Sequence, residues 1–368
     1  MNIALLGTRG IPANYGGFET FAEQIALQLV QRGHKVTVYA EADTDNKPDD
    51  WYQNIRIRYI RRPNWGSISV IAYDYRCLKD ASKREFDFLY MLGYGAAWAC
   101  WWALKIWNQN VWINIDGLEW ARSKWKWYAK LYLRVMEWVA SKASTRVIAD
   151  SQAIADRYNK LYPRGSECSF IAYGAYIKKS DEFLFRYSQD FDRSKYFLIV
   201  ARPEPENHVL EIINSHRQLG GNWPLVVVGD VRSISRYQKK ILGSAWEKVI
   251  FLGGVYDAEE LTALRVHSGC YVHGHSVGGT NPSLLEAMAC ENVVIAHDNV
   301  FNKEVIGDAA FYFKNEDDLI VAMRHVENQS VGERGEIKCR VKKIIEKKYT
   351  WGLIGDKYER LMLQRKPS

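Results

Sequence analysis

The stretch His273–Cys290, HGHSVGGTNPSLLEAMAC, sets two adjacent glycines, an asparagine, a proline and a glutamate in one passage. A strand ending near His273 is followed by the loop Gly278-Gly279-Thr280. Asn281 is a good N-cap and Pro282 is favoured at the first helical position, so a helix is predicted to start there with free N–H groups facing the loop. That arrangement suits a diphosphate. Glu286 falls about one turn into the helix, where its carboxylate can accept hydrogen bonds from a ribose. A plain strand-loop-helix connection leaves the paired glycines and this carboxylate unexplained. His273 and His275 have an i, i+2 spacing that would suit a metal. No carboxylate or cysteine stands at ligand spacing, so both read as core or site histidines, with His275 on the side of the diphosphate loop.

Three further segments carry candidate chemistry. ARPEPENH, Ala201–His208, follows another strand. Arg202 at a strand end can hold a diphosphate through two parallel hydrogen bonds, with Glu206 and Asn207 close behind; the same residues would also serve as a surface Arg-Glu pair in a loop. GTRGIPANYGGFET, Gly7–Thr20, lies between a strand and a helix. Gly16 and Gly17 let backbone approach an anionic ligand, although a turn that merely needs glycine would use them too. The spacing does not fit a dinucleotide fingerprint. INIDGLEWARSKWKW, Ile113–Trp127, puts Asp116 and Glu119 after a strand, where a carboxylate can take a proton from an acceptor hydroxyl or orient the acceptor. Arg122, like Arg9 in the first loop, can meet phosphate, and Asp116 can equally cap the next helix.

An aromatic and basic run comes next: Trp120, Trp125, Trp127, Tyr128, Tyr132 and Trp138, interleaved with Lys124, Lys126, Lys130, Arg134 and Lys142. Trp and Tyr favour membrane interfaces, and Lys and Arg meet anionic headgroups. Packing on a neighbouring surface is the alternative. Single-stranded nucleic acid is set aside, because its stacking residues sit on a sheet or groove rather than along a helix.

Short β-like runs alternate with helical stretches throughout, which implies an α/β fold with parallel sheets covered on both faces. Strands are expected at Ile3–Leu6, Val36–Tyr39, Ile55–Ile60, Phe88–Met91, Val111–Ile115 and Val147–Ala149, then at Tyr196–Val200, Leu225–Val228, Val249–Leu252, Cys270–His273 and Val293–Ala296. The pattern breaks at a polar stretch. The expected organisation is therefore an N-terminal domain 1–177, a linker 178–195, a C-terminal domain 196–348, and a terminal helix 349–368 packing back on the first domain. Two such domains place a ligand cleft between them. The uncharged run 88–104 reads as a strand, a glycine turn and an apolar helix rather than a membrane span.

The 368 residues are 47% hydrophobic and 25% charged with net charge +7, an ordinary globular composition open to acidic partners. Six cysteines form no CxxC pair, which reads as reduced thiols of a cytoplasmic protein. The first residues run straight into a strand and lack the features of a signal peptide.

Taken together, these segments resemble the GT-B glycosyltransferases of family 4, and within them the bacterial rhamnosyltransferase-like branch whose N-terminal domain was long catalogued as a domain of unknown function. GTRGIPANYGGFET, DGLEWARSKW, ARPEPEN, GHSVGGTNPSLLEAMA and AHDNVFNKEVIGDAA carry the resemblance over nearly the whole chain. It implies two Rossmann-like domains facing a cleft, with the acceptor at the first and the nucleotide sugar mostly at the second. It implies a hexosyl transfer that needs no metal or other cofactor and usually retains configuration. By match, Arg202 contacts the donor diphosphate, Glu286 is the second glutamate of an E-x7-E motif and holds the ribose, and Gly17 lies near the donor phosphates. Gly278 stands where that motif has its first glutamate, and Asn207 where many relatives have lysine. Donor recognition therefore differs from the commoner relatives, and Arg9 or Arg122 is the expected source of the missing charge.

The resemblance favours dTDP-L-rhamnose as donor, a polyprenyl-diphosphate-linked glycan as acceptor, and the inner face of the cytoplasmic membrane as the place of work. With retention, the departing phosphate helps deprotonate the acceptor and Asp116 positions it. With inversion, Asp116 is the base. A UDP-sugar donor, a nucleotide-sugar epimerase and a non-catalytic nucleotide-sugar-binding protein are the competing readings.

Overall fold

A computed structural model of the chain describes residues 1–13, 17–45, 47–115, 117–122, 125–178, 191–232 and 235–364, with Ser67 described by its backbone alone. The chain divides into two compact units, Met1–Tyr173 with Trp351–Ser368, and Gly174–Thr350.

The first unit runs β1 (Asn2–Leu6), α1 (Gly17–Gln31), β2 (Lys35–Ala42), β3 (Asp50–Tyr52), β4 (Ile55–Arg61), α2 (Ser69–Ala81), β5 (Phe88–Leu92), α3 (Ala97–Lys105), β6 (Val111–Ile115), α4 (Trp127–Ala140), β7 (Arg146–Ala149), α5 (Gln152–Leu161) and β8 (Cys168–Phe170). Its sheet has the order β3-β4-β2-β1-β5-β6-β7-β8. Every pairing is parallel except β3 with β4. Strands such as FLYML and VWINI are buried at every residue, as expected where helices cover both faces.

The second unit runs β9 (Phe197–Val200), α6 (Val209–Leu219), β10 (Leu225–Val228), α7 (Arg236–Gly243), β11 (Val249–Gly253), α8 (Ala258–Val266), β12 (Cys270–His273), α9 (Pro282–Ala289), β13 (Val294–His297), α10 (Val300–Ile306), β14 (Phe311–Phe313), α11 (Glu316–Asn328) and α12 (Val331–Lys348). The order β11-β10-β9-β12-β13-β14 is parallel throughout. The Phe191 ring packs tilted on Tyr196 at 4.5 Å between centroids, so the end of the stretch read as a linker joins this unit's core. Residues 179–190 lie outside the described residues.

The last helix, α13 (Trp351–Leu363), belongs to the first unit and packs on α1. Tyr358, fully buried, shares a 2.9 Å hydrogen bond between hydroxyls with Tyr90 of β5, and Asn114 Nδ2 donates to the Tyr90 hydroxyl at 3.0 Å. Phe21 fills the space between them, 5.9 Å from Tyr358 and 6.2 Å from Tyr90 between ring centroids. Arg32 ties the rim by donating to the Gly352 carbonyl at 2.8 Å and to Asp356 at 3.1 Å.

Each strand expected from the sequence is present. Three more, β3, β8 and β14, are three-residue strands at sheet edges. An edge strand buries only part of its surface, so it needs no long apolar run and leaves none in the sequence. The apolar run 88–104 forms β5 and α3, and among the described residues no helix is long and apolar enough to cross a membrane.

Candidate active site

In the second unit the chain leaves β9 for β10 and β11 on one side, then returns to place β12 on the other. The loops after β9 and β12 therefore diverge from neighbouring strands, the place where open parallel sheets bind ligands. They are ARPEPENH and HGHSVGGTNP. A Cβ on Gly274 would lie 2.1 Å from the Asn207 carbonyl oxygen, so only glycine allows the two loops this close. Ser276 fastens them, its N–H and hydroxyl both donating to the Glu206 carbonyl at 2.9 and 3.1 Å. Gly278 has φ +133°, outside the range of ordinary side chains.

Asn281 caps α9 as its sequence requires, its side chain accepting from Ser283 N at 2.9 Å with Pro282 in the first turn. Ser283 Oγ reaches the Val200 carbonyl at 3.2 Å and the Tyr271 hydroxyl at 2.9 Å, pinning the start of the helix to the ends of β9 and β12. One turn on, Glu286 is 41% exposed. Its Oε2 lies 2.6 Å from Nη2 of Arg265, a residue of α8 that is only 5% exposed. One carboxylate oxygen is thus fixed while the side chain stays partly exposed, a group able to accept from a vicinal diol. Arg265 left little trace in the sequence, a lone cation inside the apolar helix segment LTALRV.

The remaining donor-side residues divide. Arg202 is 54% exposed and only loosely paired with Glu204 at 3.6 Å, so its guanidinium is available. Asn207, expected among the donor contacts, is instead buried. Its amide braces the loop by donating to the Arg202 carbonyl at 2.8 Å. Thr280 is buried too. His273 and His275 stack at 4.4 Å, and His208 stacks on His297 at 4.8 Å. His273 is fully buried with no hydrogen-bond partner on either ring nitrogen among the described residues. Burial, with His275 and His297 alongside, holds its imidazole well below the usual range. Burial and His208 lower His297 as well. Among the described residues no group of three or more His, Cys, Asp or Glu is placed to share a metal ion.

The first unit repeats the plan at β1 and β5. Gly7, at φ +82°, sits where a Cβ would lie 2.3 Å from the Leu92 carbonyl oxygen. Two carboxylates of α1 hold the loop that follows: Glu19 accepts from Arg9 N at 3.2 Å and Glu23 from Ala13 N at 2.8 Å. The Arg9 side chain is exposed. Among the described residues, and apart from its chain neighbours and its own helix backbone, a Cβ on Gly17 would meet no atom within 4 Å, and its φ lies outside the left-handed region. The fold does not demand glycine there, which favours ligand approach over a turn requirement. Gly16 and Asp116 lie outside the described residues.

Glu119 and Arg122 pair with each other at 3.0 Å, and Trp125 Nε1 donates to Glu119 at 3.0 Å. Trp120 donates to the buried Glu137 at 2.8 Å beneath the Arg134 guanidinium. Trp120 and Trp125 therefore brace this loop. Trp127, Tyr128, Leu131, Val135 and Trp138 instead form an exposed face of α4, opposite buried Leu133, Met136 and Ala140.

Residues 180–343 match the family Glycosyl transferases group 1, and residues 1–176 match a domain of unknown function, DUF1972. No curated protein matches the chain in sequence. Among solved structures it is similar to sucrose-phosphate synthase from Thermosynechococcus elongatus, at 16% identity and TM-score 0.80, covering 99% of this chain and 98% of that one. It is similar to the E. coli structure described as trehalose-6-phosphate bound with UDP-2-fluoro glucose, at 10% identity and TM-score 0.80 over the whole of both chains. It is also similar to Anabaena HepE in complex with UDP and glucose, at 15% identity and TM-score 0.76, covering 99% and 100%. At such identities the likeness is one of fold. With the family match, it makes the protein a glycosyltransferase of the GT-B fold.

Three outcomes are expected. Gly17→Ala should leave the unfolding midpoint unchanged or raise it, by up to about 1 kcal/mol from helix propensity, while donor turnover falls; equal loss of stability and activity would make Gly17 structural. Arg265→Gln should weaken nucleoside diphosphate binding about tenfold, yet leave inorganic pyrophosphate binding unchanged, if Glu286, which it anchors, holds the ribose as the resemblance implies. The third concerns pH. Burial makes His273 and His297 bind protons less readily in the fold than in the unfolded chain, where an imidazole titrates near its ordinary value of about 6.5. The unfolded state binds more protons, so stability is lost as pH falls below about 6.5. Denaturant midpoints between pH 7 and 5 should show that slope, and His273→Phe should flatten it.

Proposed function

We propose that the protein moves a hexose from a nucleotide-sugar donor onto a polyprenyl-diphosphate-linked glycan of a bacterial surface polysaccharide, without a metal ion, at the inner face of the cytoplasmic membrane. The observation that carries the donor half is the β9–β12 loop pair ending in the capped start of α9, with Glu286 anchored by Arg265. Arg202, the amides of Gly278–Thr280 and the first turn of α9 would stabilise charge on the departing diphosphate. Loss of one such donor costs about 10²–10³ in rate. Asp116 is the residue proposed to orient the acceptor hydroxyl, with Glu119 and Arg122 following it in the same segment. The exposed aromatic face of α4 supports peripheral membrane contact, since its polar neighbours include Lys126, Lys130 and Arg134.

L-rhamnose from dTDP-L-rhamnose, transferred with retention, is the donor reading, and its support is the motif resemblance. A UDP-sugar is the second reading, favoured by the UDP-2-fluoro glucose and UDP in the E. coli and Anabaena structures. Thermal shift across dTDP-, UDP- and GDP-sugars separates them. A ligand at 100 times its dissociation constant adds about 2.7 kcal/mol. The expected result is a shift with dTDP-L-rhamnose and none with the others. A shift with a UDP-sugar alone replaces the donor, and no shift with any of them removes the transferase reading of this site.

A further inference from the structure

Two adjoining cavities of about 420 and 360 Å³ open beside the carboxyl end of β4 and share Asp45, Arg61 and Arg76. That is ligand-sized space. Their lining is basic and aromatic, adding Lys47, Tyr59 and Trp65. Arg76, on α2, donates to the Arg61 carbonyl at 3.1 Å and lies 5.9 Å from the Trp65 ring, which is 62% exposed. Lys47 Nζ sits 3.5 Å above the Tyr59 ring. Among the described residues no carboxylate pairs with Arg76 or Lys47. Arg61 pairs with Asp45 at 2.7 Å, but both are more than half exposed, and such a pair yields readily to a stronger anion. Arg58, also on the wall, is different: Asp49 and Asp80 engage it at 2.8 and 3.0 Å.

The surroundings narrow the ligand. Next to Arg76, Tyr75 stacks on Trp98 of α3 at 5.5 Å and meets Trp102 edge-on at 6.1 Å. Trp101, Trp102 and Ile106 are exposed, and α3 packs on α4, whose outer face carries Trp127, Leu131 and Trp138. The helix that carries Arg76 thus packs, through Tyr75, on the helix that carries part of this apolar surface. On the pocket's other side, Arg62 pairs with Glu41 at 2.8 Å, and Glu41 N donates to the Arg9 carbonyl at 3.0 Å, so the pocket lies at the same carboxyl end of the parallel strands as the glycine loop after β1.

We infer that this pocket binds the diphosphate of the lipid-linked acceptor, with Arg76, Arg61 and Lys47 taking the phosphates, Trp65 flanking the first sugar, and the prenyl chain running toward the α3–α4 face. The inference rests on the proposed transferase reading and supplies its acceptor subsite. An amphiphile with a compact double negative charge fits the lining. A guanidinium matches phosphate oxygens in pairs, and the aromatic rings present flat apolar faces.

The test is calorimetric titration of the full chain, presaturated with nucleoside diphosphate to fill the donor loops, with geranyl diphosphate as a soluble probe. One site is expected, weakened about tenfold or more by Arg76→Gln and partly restored by Arg76→Lys. Thermal shift by the nucleotide sugar should be the same in all three proteins. No binding, or binding indifferent to Arg76, overturns the inference, while an intact nucleotide-sugar shift keeps the transferase reading. Arg76-dependent binding to phosphatidylglycerol vesicles at least as strong as to geranyl diphosphate also overturns it, because the pocket would then read headgroups. Weaker binding of inorganic pyrophosphate than of geranyl diphosphate is expected; equal binding overturns the role given to the prenyl chain.

Discussion

The proposed donor site depends on one close approach. Gly274 rests against the Asn207 carbonyl, and any side chain there would push the β9 and β12 loops apart. With the loops in contact, Ser276 can bond twice to the Glu206 carbonyl, and Asn207 turns inward to hold the Arg202 carbonyl. Arg202, the Gly278 turn and the start of α9 then share one small region. The switch in strand order creates the site, since only there do neighbouring parallel strands send their loops in opposite directions. Buried glycine contact, rather than any polar group, sets the distance between the chemical groups.

The first unit solves the same problem with charge. Gly7 gives the close approach to β5, but the longer loop after β1 needs anchors, and Glu19 and Glu23 of α1 accept from its backbone N–H groups. Tyr52 donates to the other oxygen of Glu23 at 2.7 Å, so that carboxylate is fixed from both sides. The described part of the loop is held by its backbone, with Thr8 and Ile11 buried and the Arg9 side chain left exposed.

The fold was legible because buried parallel strands are continuous apolar runs between helical stretches, and the pattern restarts once. What the sequence left out were edge strands, whose half-exposed residues carry no periodic signal. The Asn281–Pro282 start and the one-turn offset of Glu286 were also legible, because capping and helix pitch are local rules. Arg265 was not, because its meaning comes from α8 lying beside α9, a tertiary fact. Asn207 shows the converse. Its position after Arg202 suggested a ligand contact, yet a short amide next to a tight loop has a nearer partner in the backbone. Glu119 and Arg122 likewise found each other three residues apart before any ligand.

The aromatic segment separates by the same logic. Trp120 and Trp125 have N–H donors within reach of Glu137 and Glu119 and are drawn inward. Trp127, Leu131, Val135 and Trp138 fall on the side of α4 away from the sheet, where Leu133, Met136 and Ala140 already supply the apolar stripe a covering helix needs. A helix apolar on both sides contributes nothing further to its own unit through the outer one. Exposed tryptophans persist on a surface when something other than water meets them there. The neighbouring helix α3 carries Trp101, Trp102 and Ile106 outward as well, so the apolar surface crosses from one helix to the next. Tyr75 of α2, next to Arg76, packs on Trp98 and Trp102 of α3, so the helix that carries Arg76 is tied to that surface by ring contacts.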